Sequence, residues 1–134
     1  MRKELLETAA AAVAAAKQAG ASDAWAAVAR TRDVKFELRN GKLEKVEDST
    51  SRSLGIRLFV DGRYSTHSTT DLRVDQVRAF VANGVAITKA LQRDEHRRLA
   101  DRALYPKRAA TLDLQDAAVT KLDRDQRLAW LQAM

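Results

Sequence analysis

Two dipeptides, Asn40-Gly41 and Asp61-Gly62, constrain this chain more than any other feature of it. Each sits between runs of strand-forming residues. Each also readily adopts positive φ at both central positions of a two-residue hairpin turn, the kind whose twist matches that of the strands it joins. Ahead of the first, Val34, Phe36 and Leu38 alternate with Lys35, Glu37 and Arg39; ahead of the second, Leu54, Ile56, Leu58 and Val60 repeat the period of two. The spacing predicts two hairpins in tandem, with one apolar face that needs a cover.

Helices on either side can supply it. Residues 3–19 read as a helix with Leu5, Leu6, Ala9, Val13 and Ala16 on one stripe and Gly20 as its left-handed C-cap. Alanine predominates there, the best helix former and small enough to let a helix lie close to a sheet. Residues 24–30, with Trp25 among small apolar residues, read as a first strand buried on much of both faces. A second helix is expected over 72–92, with Asp71 as N-cap, Asp75 in the first turn, and Val77, Phe80, Val81, Gly84, Ile87 and Leu91 as its apolar stripe. Gly84 costs about 1 kcal/mol against alanine in a helix interior, which points to close approach of a neighbouring element. Beyond Leu91 the pattern weakens to a helical turn or two before Pro106 and an extended piece through Leu112 and Leu114. Residues 123–134 read as the opening turns of a third helix carrying Leu128, Trp130 and Leu131.

At 134 residues the chain is one domain's worth of sequence. It contains no cysteine, which excludes disulfides, thiolate nucleophiles and cysteine-ligated zinc. The formal net charge is +6, and most of the excess follows residue 50, the segment Arg93–Arg108 being the most basic. The N-terminal apolar run is interrupted by Glu4, Glu7, Lys17 and Gln18, which an export signal does not tolerate, so a cytoplasmic location is expected.

The residues that could carry chemistry are few. His67 and His96 lie far apart in different elements, and neither has a second histidine at metal-ligand spacing. His67 alternates with Ser65 and stands beside Ser68, a nucleophile-like grouping, yet no strained turn or oxyanion loop accompanies it, and an ordinary strand polar residue is the reading adopted. Glu44, Glu47 and Asp48 beside Lys42 and Lys45 read as a salt-laced exposed edge. The basic run 93–108 has only Tyr105 as a stacking aromatic, which favours a solvated face or a surface for an acidic partner over nucleic-acid binding.

Order and spacing of the central motifs resemble the N-terminal domain of the TldD/PmbA family, zinc metallopeptidases once described as modulators of DNA gyrase. The family pattern R-N-G-x-x-E-x-V, R-G-L-G-hydrophobic-R, V-D-G-R and S-T-x-D-L is matched by Arg39, Asn40, Gly41, Glu44, Val46, Arg52, Leu54, Gly55, Arg57, Val60, Asp61, Gly62, Arg63, Ser68, Thr69, Asp71 and Leu72. Three departures stand out: Ser53 for the first glycine of G-L-G, His67 for alanine, and Arg73-Val74 for the Ser-Pro that opens the second helix. The resemblance implies structural roles for Asn40, Gly41, Gly55, Arg57, Asp61, Gly62, Ser68, Thr69 and Asp71. It implies no catalytic, cofactor-binding or metal residue in this chain. The family's zinc is held by an H-E-x-x-x-H helix, where a glutamate can act as base on a zinc-bound water, and this sequence has no His-Glu pair.

The expected fold is therefore α+β, an antiparallel meander-like sheet of four to five strands with two main helices packed on it. Residues 1–110 are expected to form the family's N-terminal domain and 111–134 to begin the segment after it, the chain being the front part of a longer protein. In that protein the resemblance implies proteolysis of unfolded peptides, zinc, and a homo- or heterodimeric protein partner, either a catalytic subunit or its zinc-free partner. Neither nucleic acid nor membrane is expected as a partner. The competing reading is a free-standing interaction module that docks an acidic partner.

Overall fold

In a computed structural model of the chain, residues 2–107, 112–114 and 116–134 are described. The expected boundary between 110 and 111, and Arg108 at the end of the basic run, lie outside them. The order of elements is α1 (Arg2–Gln18), β1 (Asp23–Arg39), β2 (Lys42–Val60), β3 (Arg63–Thr69) and α2 (Val74–Lys89); a 3-10 turn (Arg102–Leu104), α3 (Ala117–Lys121) and α4 (Arg124–Gln132) follow.

Both hairpin turns form as the dipeptides dictate. Asn40 and Gly41 stand at φ 50° and 73°, Asp61 and Gly62 at 48° and 73°. The result is α+β with a three-stranded antiparallel sheet in the order β1-β2-β3, fewer strands than the four to five expected. The difference is continuity. The segments 24–30 and 34–38 are one 17-residue strand, and β2 runs for 19 residues. Polar stretches around Arg32 and Asp48 look like gaps, but a strand with solvent on both faces needs no apolar alternation to stay paired. A bidentate ion pair, Arg32 to Asp48 at 2.9 and 2.6 Å, bridges the strands there.

The chain divides into two compact units, one of Met1–Thr31 with Ser51–Ala103, the other of Arg32–Thr50 with Leu104–Met134. In the first, β2 pairs with β3 from Leu54↔Thr69 to Val60↔Arg63. Leu54, Ile56, Leu58 and Val60 are fully buried there with Val77, Val81 and Val85 of α2 and Ala12 and Ala16 of α1. Each large side chain in that group contributes about 1.5–3 kcal/mol by leaving water. In the second unit no described residue is fully buried. Its local order comes from caps: Asp116 accepts from Ala118 N, and Asp123 and Gln126 form a reciprocal capping box at the start of α4.

The helices depart from expectation in their facing. On α1 the buried positions are Ala12 and Ala16, while Leu6 is exposed. Alanine lets the helix settle closely, and a leucine at the contact would hold it off. On α2 the buried face is Val77, Val81, Gly84, Val85 and Thr88, whereas Ile87 and Leu91 are exposed. In β1 only Ala24 is buried, and Trp25 is exposed on the opposite face, so this strand is covered on one side. Gly20, at φ 100°, does end α1: its N–H donates to Lys17 O and that of Ala21 to Ala16 O, the paired bonds of a Schellman motif.

Asp71 is not the N-cap of α2. The helix starts at Val74 with Arg73 in the cap position and no side-chain cap bond. Asp71 instead accepts from the Arg73 backbone N–H at 3.1 Å and from its guanidinium at 2.5–3.1 Å. An arginine at the cap position cannot accept from the first-turn N–H groups, so the carboxylate is drawn to the cation instead. The side-chain hydrogen bonds from Arg73, then its backbone N–H, hold the Asp71 carboxyl down at about 2, from 3.8. Because the folded value is depressed, the linkage is fully present above pH 3.8 and is lost as pH falls through about 2. An NMR titration of the Asp71 carboxyl should give that low midpoint, and Arg73→Gln should raise it.

Candidate functional site

In the first unit a cluster of chemistry-bearing side chains among the described residues lies between β3 and α2. Alternate residues of a strand share a face, so Ser65 and His67 point together, in register with Leu58 and Ile56 of β2. Across from them α2 presents Phe80, Gly84 and Thr88. The His67 ring meets Phe80 edge-on with centroids 6.2 Å apart. His67 Nε2 is 2.8 Å from Ser65 Oγ, which is 2.5 Å from Thr88 Oγ1, which in turn donates to Gly84 O at 2.6 Å.

The end of this chain of bonds fixes its direction. A carbonyl can only accept, so the Thr88 hydroxyl proton is committed to Gly84 O. Ser65 must then donate to Thr88, and His67 Nε2 must carry a proton and donate to Ser65. The nitrogen facing the serine is a donor and cannot take the serine's proton. His67 and Ser65 are therefore not arranged as a nucleophile and its base, in keeping with the ordinary polar reading. The cluster satisfies its own hydrogen bonds along a helix–strand seam, and the buried side-chain polar atoms among the described residues all have partners. Thr88→Val keeps the shape but leaves Ser65 without its acceptor, and is expected to cost about 1 kcal/mol in denaturant unfolding. Ser65→Ala should cost less, because His67 is partly exposed and water can take its N–H.

The nine residues singled out by the family motifs are distributed through the fold and do not converge. Asn40 and Gly41 form one turn, Asp61 and Gly62 the other. Gly55 pairs with Ser68 and Arg57 with Thr66 in mid-sheet. The Arg57 guanidinium lies 4.8 Å over the Trp25 ring. Thr69 Oγ1 accepts from Asp71 N at 3.1 Å, shaping the bend into α2. Thr88, which completes the seam, was not foreseen, since a threonine late in an apolar helix carries no signal of its own. Arg63, the last residue of the V-D-G-R motif, donates from Nε to Leu91 O at 2.9 Å, past the end of α2.

In the second unit the two-stranded ribbon is laced with ion pairs: Arg39 with Glu44 at 3.1 Å, Lys45 with Glu47 at 2.5 Å, and Lys35 with Glu37. The Arg32 hydrogen bonds hold the Asp48 carboxyl below its usual range, the Arg32 charge and Arg127 adding to the effect against a desolvation that opposes it. These pairs lie at the surface, where solvent screens them and leaves each little net effect on stability. Their value is the salt-laced edge itself, which discourages stray strand pairing. Among the described residues no group of three or more His, Cys, Asp or Glu could hold a metal ion, and no helix is long and apolar enough to cross a membrane.

Comparison with known proteins agrees with this arrangement of turns, sheet and helix. Residues 26–88, from β1 to the last turn of α2, match the family described as PmbA/TldA metallopeptidase domain 1. Over 131 residues the chain is 33% identical to a Metalloprotease PmbA homolog of Haemophilus influenzae, covering 98% of this chain and 29% of that protein. Its structure is similar, with a TM-score of 0.90 and 30% identity, to the crystal structure of a Bacteroides thetaiotaomicron protein described as a candidate modulator of DNA gyrase, over 97% of this chain and 30% of that one. The chain thus spans about three-tenths of the length of these relatives. Over nearly all of its length it resembles the N-terminal part of TldD/PmbA-family proteins, and its residues 26–88 match their first domain.

Proposed function

We propose that this chain serves as the non-catalytic N-terminal domain of a TldD/PmbA-type zinc metallopeptidase or of its zinc-free partner subunit. The observation that supports the reading most is the asymmetry of coverage: nearly all of this chain aligns with less than a third of a metalloprotease PmbA homolog. In the reading, zinc and the hydrolysis of unfolded peptides belong to sequence outside these 134 residues, which hold no His-Glu pair. This domain's work is structural, forming part of the wall around the proteolytic site and a surface for assembly with a second subunit, homo- or heterodimeric. A cytoplasmic location goes with it and is compatible with a cysteine-free composition.

Reading the coding DNA beyond the Met134 codon tests this directly. A frame that continues to a length comparable with the relatives and contains H-E-x-x-x-H supports a catalytic parent; continuation without that motif supports a partner subunit. A stop codon at that point would falsify the parent-protein reading and favour a free-standing module that docks an acidic partner.

A further inference from the structure

The chain leaving α2 does not run free. Leu91 O accepts from Arg63 Nε at 2.9 Å, Asp94 N donates to Gly62 O at 2.7 Å, and the Arg97 guanidinium lies 5.2 Å over the Tyr64 ring. These three contacts lay residues 91–97 across the tip of the β2–β3 hairpin, beside the tilted pair Phe59–Tyr64 with centroids 5.1 Å apart. The segment is also organised within itself by Asp94. The Asp94 carboxylate accepts from His96 N at 3.0 Å and faces Arg97 Nε at 3.5 Å, while its carbonyl accepts from Arg97 N at 3.2 Å.

The attachment rests on polar and cation–π contacts at exposed positions, and no side chain from 91 to 97 is buried. The hairpin beneath, by contrast, is continuous with the buried row Leu54, Ile56, Leu58 and Val60. Segments with few buried apolar contacts open at far lower cost than the core they cover. From this contrast we propose that residues 91–97 form a latched strap over the hairpin tip, which opens as a unit while the sheet and α2 stay folded, with Arg63 as the principal latch. Opening frees the Gly62 carbonyl and uncovers the Tyr64 face of the aromatic pair. The strap is thus a built-in conformational device at one end of the sheet.

Native-state amide hydrogen exchange on the folded protein tests it. The Asp94 amide reports the strap, and the Val81 and Val85 amides report the core. Arg63→Gln, and separately Arg97→Gln, should each speed Asp94 exchange by roughly three- to tenfold, the scale of one exposed charged contact, and leave the core amides unchanged. Arg98→Gln removes the same charge from the neighbouring position and should leave Asp94 as it was. The proposal is overturned if Asp94 exchanges in step with Val81 and Val85, if neither latch variant speeds it, or if Arg98→Gln speeds it as much as Arg63→Gln does.

Discussion

Leu58→Ala is expected to destabilise the first unit by about 3 kcal/mol, among the largest effects of any single truncation in this chain. Leu58 is fully buried in the middle of β2, paired with Ser65 on β3 and facing α2. Its removal loses the transfer free energy of the deleted atoms and leaves a cavity. The helix cannot close that cavity easily, because its position is also set by Val77, Val81 and Val85 against the rest of the sheet. Urea unfolding followed by circular dichroism should show the midpoint falling with the slope unchanged.

Gly84→Val is expected to cost about 3 kcal/mol for the opposite reason. A Cβ at position 84 would lie 2.9 Å from Leu58 Cδ1 and 3.2 Å from His67 Cδ2, so even the first added atom overlaps its neighbours. Gly84→Ala pits this overlap against the roughly 1 kcal/mol that alanine gains over glycine in a helix, and the overlap should win narrowly. The two sites are linked through one methyl group. In a Leu58→Ala background the closest obstruction is gone and only the milder His67 contact remains, so Gly84→Ala should turn from destabilising to stabilising. A double-mutant cycle with no coupling between the two positions would mean that Leu58 is not what holds Gly84 to glycine.

Much of the sheet was legible in the sequence because its turns are encoded in two residues each and its inner face in a simple alternation. The tandem hairpins, the C-cap at Gly20 and the close approach at Gly84 follow from local chemistry that little else could override. The number of strands was not legible. Alternation disappears where a ribbon meets water on both faces, so the long strands β1 and β2 read as interrupted although their backbone pairing continues. The burial of the helices was misread in a related way. Leu6, Ile87 and Leu91 are apolar by composition, but the α1 contact selects small residues and the α2 contact selects valines and a glycine. Facing is a property of the contact, which single-helix periodicity does not contain.

The start of α2 and the polar seam show a second limit. Asp71 is the best N-cap residue the local sequence offers, yet two residues later an arginine offers it a stronger partner. The seam joins residues from β3 and α2 that no motif links, and only the fold brings Thr88 to Ser65. What the sequence did carry about the seam was negative: a histidine and a serine with none of the surroundings a nucleophile needs.

The order β1-β2-β3 has a kinetic meaning as well. Each strand pairs only with its neighbour in sequence, through a two-residue turn, so the sheet can assemble by closing short loops at little entropic cost. The contact between α1 and α2 is different, since it joins elements on opposite sides of both hairpins. Contacts distant in sequence are the slow ones to form. The meeting of the two helices over the meander is therefore the expected slow step of the first unit, and in stopped-flow refolding substitutions at Ala12, Ala16 or Val77 should retard folding more than substitutions in either turn.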